Sequence, residues 1–232
     1  MDDMAAFTTV LFDLDDTLFE SSKSIKDILI SLLKECFQYN ADDETLNKYV
    51  KINSYYWELL RNGHIDFQTL KTGRFKEYLK ELGISADAES FSLIFMEKFI
   101  GAVDLVDGAF ELCRNLHKNG YKIYTASNGE DTIQKERIDR AGLAPYFTGH
   151  FNSDVMGCLK PSIEYFNYIR NNIKEKDPKK ILMVGDLYSI DIEGAINAGI
   201  SGCWFCRNAS ELKSGLPCIT VRSLKELNGI LT

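Results

Sequence analysis

Four short stretches of the chain, residues 8–13 (TTVLFD), 121–126, 180–185 and 201–205, are rich in apolar and β-branched side chains. Apolar runs of this length, without a helical repeat, predict strands buried on both faces, as in a parallel sheet. Between and after them, apolar positions recur three and four apart and predict helices over 106–118, 130–141, 161–173 and 189–198. Alternating strands and helices predict an α/β fold with a mainly parallel sheet. Residues 20–100 follow another rule. Ile25, Ile28, Leu29, Leu32, Leu33, Cys36 and Phe37 recur at helical spacing, with further helical patterns over 49–60, 67–82 and 91–100 and no strand between them. The expected organisation is an α/β core of residues 1–19 and 101–232, interrupted by an all-helical insertion, residues 20–100. Asn62-Gly63 and Leu82-Gly83 mark helix ends within it.

The chain carries a formal net charge of −7. That speaks against a nucleic-acid polymer as partner, because such proteins present a basic face. It leaves small phosphorylated metabolites, nucleotides included, which a local basic cluster can hold. The opening MDDMAAF carries acid where a secretory leader carries base. No apolar stretch approaches the roughly 18 residues that span a bilayer. A cytoplasmic protein with no membrane partner is expected. Six cysteines, Cys36, Cys113, Cys158, Cys203, Cys206 and Cys218, are scattered. Cys203 and Cys206 form a C-x-x-C, but it has no second pair, and His64, His117 and His150 are distant in sequence. Residues 202–205 also have the pattern of a buried strand, so these thiols are read as structural.

In open parallel sheets, ligands bind beyond the carboxyl ends of the strands, and each predicted strand here ends in chemistry. The first gives Asp13-Leu14-Asp15-Asp16-Thr17. Residues two apart on a strand share a side, so Asp13 and Asp15 are expected to address one site. Adjacent carboxylates repel and call for a proton or a hard divalent cation. The second gives Ser127-Asn128-Gly129, a hydroxyl and a glycine turn ahead of a helix, where free backbone N–H groups suit phosphate. The same triplet is also an ordinary turn. Lys160-Pro161 opens another predicted helix, and Asp186 directly follows an apolar strand, with Asp191 close behind. An acid in that place is poorly explained by packing; a third metal-facing carboxylate explains it better.

The ordered set DLDDT, SNG, LKP and VGDLYSID resembles the four motifs of the haloacid dehalogenase-like hydrolase superfamily. The resemblance implies a Rossmann-like core with the insertion as a helical cap of that superfamily's first cap class. It implies that Asp13 is the nucleophile and Asp15 the general acid and base. Mg²⁺ would be the cofactor, bound by the carboxylates of Asp13 and Asp186 and the backbone carbonyl of Asp15. Ser127 and Asn128, with the adjacent backbone N–H, would bind phosphate. Lys160 would neutralise charge and keep Asp13 ionised, and Asp191 would orient Lys160 or a metal-bound water. Asp15 distinguishes phosphoryl transfer from the metal-free dehalogenase branch, which lacks this acid.

The segments Tyr55-Tyr56-Trp57-Glu58, Arg61-Asn62-Gly63 and LKTGRF from Leu70 to Phe75 resemble the cap of the bacterial pyrimidine-type 5′-nucleotidases. So does Ile196-Asn197-Ala198-Gly199 with Cys203-Trp204. That likeness implies nucleoside 5′-monophosphates as substrates, with cap aromatics stacking on a base and Arg61 or Arg74 reaching a sugar or phosphate. The alternatives are a sugar-phosphate phosphatase (acylneuraminate 9-phosphate included), a phosphosugar mutase, or a non-catalytic binding protein on the same scaffold.

Overall fold

The computed structural model describes residues 7–208 and 215–232; most of the acidic N-terminal stretch lies outside them. The chain divides into two compact units. One comprises the described residues up to Glu20 and from Val103 onward, the other Ser21–Ala102.

The first unit is built on six strands: β1 (Thr9–Phe12), β2 (Lys122–Ser127), β3 (Gly149–Asn152), β4 (Ile181–Gly185), β5 (Ser201–Phe205) and β6 (Ile219–Val221). They form one sheet in the order β3-β2-β1-β4-β5-β6, with every pairing parallel. The chain winds outward from β1 through β2 to β3, then returns to the other side of β1 with β4. The sheet therefore reverses direction between β1 and β4, the place where doubly wound folds bind ligands. Successive side chains of each central strand leave on opposite faces. Val10 and Phe12 of β1 and Leu182 and Val184 of β4 join one core cluster. Leu11, Ile181 and Met183 join the other. Both faces being covered is why these strands read as unbroken apolar runs.

The second unit is four helices: α1 (Ser21–Phe37), α2 (Asp43–Arg61), α3 (Phe67–Glu81) and α4 (Ala88–Gly101). The last three each start at an aspartate whose side chain accepts a backbone N–H of the first turn: Asp42 from Thr45, Asp66 from Thr69 and Asp87 from Ser90. Such caps satisfy donors that a helix start leaves without a partner, and they hold all three carboxyls below their ordinary pKa. Inside, Phe75 lies 5.6 Å from Tyr49, 5.4 Å from Phe91 and 4.7 Å from Phe95, centroid to centroid. This aromatic cluster gives the insertion its own core.

The remaining helices belong to the sheet unit: α5 (Ala109–Lys118), α6 (Asp131–Arg140), α7 (Ser153–Met156), α8 (Ile163–Asn172), α9 (Glu193–Asn197) and α10 (Leu224–Leu231). Leu112 and Leu116 of α5 and Leu224 and Leu227 of α10 fill one face; Phe166 and Ile169 of α8 and Ala195 of α9 fill the other. The chain leaves for the insertion and returns from it side by side: Glu20 N–H donates to Asp104 O at 2.8 Å, and Val106 N–H to Leu18 O at 2.9 Å.

Two details differ from the sequence pattern. β3 and β6, the two edge strands, are too short to carry a long apolar run. The helix expected over 189–198 opens as a π-helical turn, Tyr188–Ile192, before α9. Cys203 and Cys206 are buried without a disulfide, in two different clusters. No helix among the described residues is long and apolar enough to cross a membrane.

Leu182 is fully buried in a central strand while Leu187, just beyond the same strand, is 55% exposed. Leu182→Ala should cost about 2–5 kcal/mol by chemical denaturation and Leu187→Ala less than about 0.5 kcal/mol. Equal losses would contradict the assigned core.

Candidate active site at the strand ends

Asp13 follows β1 directly, and its N–H donates to Val184 O of β4 at 2.9 Å. This bond fixes it at the reversal point of the sheet. Its side chain is almost fully buried and faces the ammonium of Lys160, 98% buried, whose Nζ lies 2.6 Å from Asp13 Oδ1 and 2.6 Å from Asp191 Oδ1. One cation thus joins the ends of β1 and β4.

The neighbouring loops hold this cation in place. The Asn128 amide donates to Lys160 O at 3.0 Å and accepts from Lys160 N–H at 2.8 Å. Its side chain thus fixes the Lys160 backbone. The π-helical turn brings Asp191 back toward the sheet, where its Oδ2 accepts Leu187 N–H at 3.0 Å. Gly185 is what allows that approach: a Cβ there would lie 2.3 Å from Asp191 Oδ2. Ser127 Oγ accepts Gly129 N–H at 3.0 Å and Gln134 Nε2 at 3.2 Å.

Carboxylate oxygens of Asp13, Asp186 and Asp191 all lie within 4.8 Å of one another. Burial pushes the Asp13 carboxyl well up; Lys160 opposes this, and Asp191 and Asp186 add to it. Burial, then Asp191 and Asp16, push the Asp186 carboxyl from an ordinary 3.8 up to about 7. Burial disfavours the Lys160 charge, but Asp13 and Asp191 outweigh it and raise its pKa. Three carboxylates against one ammonium make an acidic cluster whose donor atoms are oxygens. That donor set fits a hard divalent cation such as Mg²⁺ and offers nothing to a soft metal.

Asp15 lies past the end of the strand, close enough to Asp13 to add to the burial-driven rise in that carboxyl's pKa. β1 ends at Phe12, and the chain turns at once, with Asp16 in the left-handed region at φ 58°. The Asp15 carboxylate meets α6: Oδ1 accepts from Arg137 Nη1 at 2.6 Å and Oδ2 from Gln134 Nε2 at 2.9 Å. Neither partner stands out in the sequence, because α6 is a polar helix and arginine is ordinarily exposed. Their three-residue spacing, directly after Ser127-Asn128-Gly129, is the available signal.

In the helical unit, Arg74 is not a free ligand group. It is 7% exposed, donates to Asn53 Oδ1 at 2.8 Å and lies 5.0 Å from the centroid of the Phe75 ring. Gly73 makes room for the Tyr56 ring, which a Cβ would meet at 2.5 Å. Much of the LKTGRF segment therefore serves the packing of the helical unit. Tyr55 is 52% exposed.

Because folded Asp186 binds its proton more tightly than an unfolded aspartate, folding without a divalent cation is favoured at low pH. This advantage should be lost as pH rises from about 4 to about 7. Mg²⁺ should therefore raise Tm more at pH 7.5 than at pH 5. A pH-independent Mg²⁺ effect in thermal melts would contradict the assigned carboxylate cluster.

The profile of haloacid dehalogenase-like hydrolases matches residues 7–199. The chain is 30% identical to the HAD-hydrolase YfnB of Bacillus subtilis (strain 168), over 98% of this chain and 97% of that one. It is 30% identical to the pyrimidine 5′-nucleotidase YjjG of Escherichia coli (strain K12), covering 96% of each. It is 32% identical to the pyrimidine 5′-nucleotidase PynA of Streptococcus pneumoniae (strain ATCC BAA-255 / R6), over 84% of this chain and 82% of that one. The magnesium-bound crystal structure of YfnB superposes with a TM-score of 0.88 over 97% of this chain and 98% of that one, at 31% identity. The profile match and the near full-length relatives establish that this chain belongs to the haloacid dehalogenase-like hydrolase family.

Proposed function

We propose that the protein is a Mg²⁺-dependent phosphomonoesterase that works through an aspartyl-phosphate on Asp13, with nucleoside 5′-monophosphates as substrates. The observation that carries this reading is the nearly buried Asp13 carboxylate, 2.6 Å from the Lys160 ammonium and within a three-carboxylate cluster. A carboxylate aimed at a strand end and held beside a cation is suited to attack an electrophile and to see its charge balanced as it does.

In the first step an Asp13 oxygen forms a bond to phosphorus. The bond from phosphorus to the ester oxygen breaks, and that oxygen takes a proton from Asp15. In the second step water attacks phosphorus and gives its proton to Asp15. The bond from phosphorus to Asp13 breaks and inorganic phosphate leaves. Lys160 holds Asp13 in place and offsets negative charge throughout, anchored by Asn128 and Asp191. The Ser127 O–H, left to donate by the two bonds its oxygen accepts, is available to a phosphate oxygen. A divalent cation held by Asp13 and Asp186 would supply further charge neutralisation for the anionic substrate.

The substrate class is supported by the near full-length similarity to two proteins described as pyrimidine 5′-nucleotidases. Two outcomes are expected. Asp13→Asn should lower phosphate release by at least about 10³-fold while the protein still folds; full activity in that variant would sink the nucleophile. On a panel of phosphomonoesters, nucleoside 5′-monophosphates should give higher kcat/KM than sugar phosphates, and EDTA should abolish turnover until Mg²⁺ is restored. Preference for a sugar phosphate would overturn the substrate, and turnover in EDTA the metal.

A further inference from the structure

We infer that Gln134 and Arg137 are positioning residues that form a two-pronged fork orienting the Asp15 carboxylate for proton transfer to the leaving oxygen. The inference rests on the phosphomonoesterase reading above and deepens it.

The fork is fixed at each end. Arg137 is fully buried, its guanidinium carbon 4.4 Å from the centroid of the Phe19 ring. Its Nη1 donates both to Asp15 Oδ1 at 2.6 Å and to Gln134 Oε1 at 3.0 Å. With Oε1 engaged there, the Gln134 amide can face only one way. Its Nε2 reaches Asp15 Oδ2 at 2.9 Å and Ser127 Oγ at 3.2 Å. Gly129 clears the space for this, since a Cβ there would lie 2.3 Å from Gln134 Nε2. Two donors on two oxygens fix both the direction and the plane of the carboxylate, which one contact cannot do. A carboxylate oxygen carries two lone pairs, so a single hydrogen bond from the fork does not bar it from carrying a proton.

The burial is lopsided: the Arg137 side chain is 0% exposed and that of Asp15 40%. A solvated acid needs no buried counterion for its own sake, and burying a cation is costly. A wholly structural role would be met as well by an apolar residue at 137. The arrangement makes sense as a rigid mount for an acid that must reach into the site. It also ties Asp15 to the hydroxyl expected to touch phosphate, so proton donor and phosphate holder share one support.

The test uses the dependence on leaving group. Expelling an alkoxide needs a proton, while expelling p-nitrophenolate needs little help. The full chain with Mg²⁺ is assayed on p-nitrophenyl phosphate and on uridine 5′-monophosphate, or glycerol phosphate where the nucleotide is not turned over. Arg137→Met should lower kcat/KM for the alkyl ester on the order of 10- to 100-fold and for the aryl ester by no more than about threefold. On an Asp15→Asn background the same change should add little, because both act through one group. Equal losses on the two esters, or none, would overturn the fork. If Arg137→Met fails to fold, Gln134→Met is read by the same ratio and the same two outcomes decide. Wild-type protein that hydrolyses neither ester overturns the phosphomonoesterase reading and the fork with it, whereas an active wild type with equal losses overturns the fork alone.

Discussion

A single buried ammonium organises the sheet unit's functional end. Lys160 is shared by Asp13 and Asp191, each at 2.6 Å, and neither carboxylate would be tolerated at such depth without it. The surroundings follow from this requirement. Asn128 grips the Lys160 main chain on both sides. The π-helical turn returns Asp191 to the sheet, and Gly185 leaves it space. A loss at any of these points would leave a charge buried without its partner. The site is thus one connected object built from four separate stretches of chain.

A second polar system lies beside it with a different logic. Around Lys160, a buried cation answers buried acids. Around Asp15, a buried cation answers a half-exposed acid. The first arrangement holds charge where water is scarce. The second steadies a group that keeps access to solvent, as proton exchange requires. Ser127, bonded to Gln134, is the chain neighbour of Asn128, which grips Lys160.

The legible parts of the fold were those whose residues are buried on both faces. β1, β2, β4 and β5 announce themselves because nearly every position is buried and most are apolar, and the insertion because its helices repeat at helical spacing. β3, with the sequence GHFN, and the three-residue β6 do not, since edge strands are short and half exposed. For the site, acids after apolar strands were visible because packing offers no reason for them. The paths those side chains take were not. Asp15 meets Gln134 and Arg137 of α6, and nothing in the hydrophobic pattern says which helix will receive it. Gln134 and Arg137 were hidden for a related reason: a helix in which polar residues are the buried ones looks like any solvated helix.

The paired segments at Leu18, Glu20, Asp104 and Val106 bear on how this protein can change over evolutionary time. Chain closure costs grow only with the logarithm of loop length. A detour whose two ends are already clasped by the core can therefore be lengthened, shortened or exchanged with little effect on the sheet. The strand ends and the excursion between Glu20 and Val103 are then separately inheritable parts, and the second can be rewritten without disturbing the first.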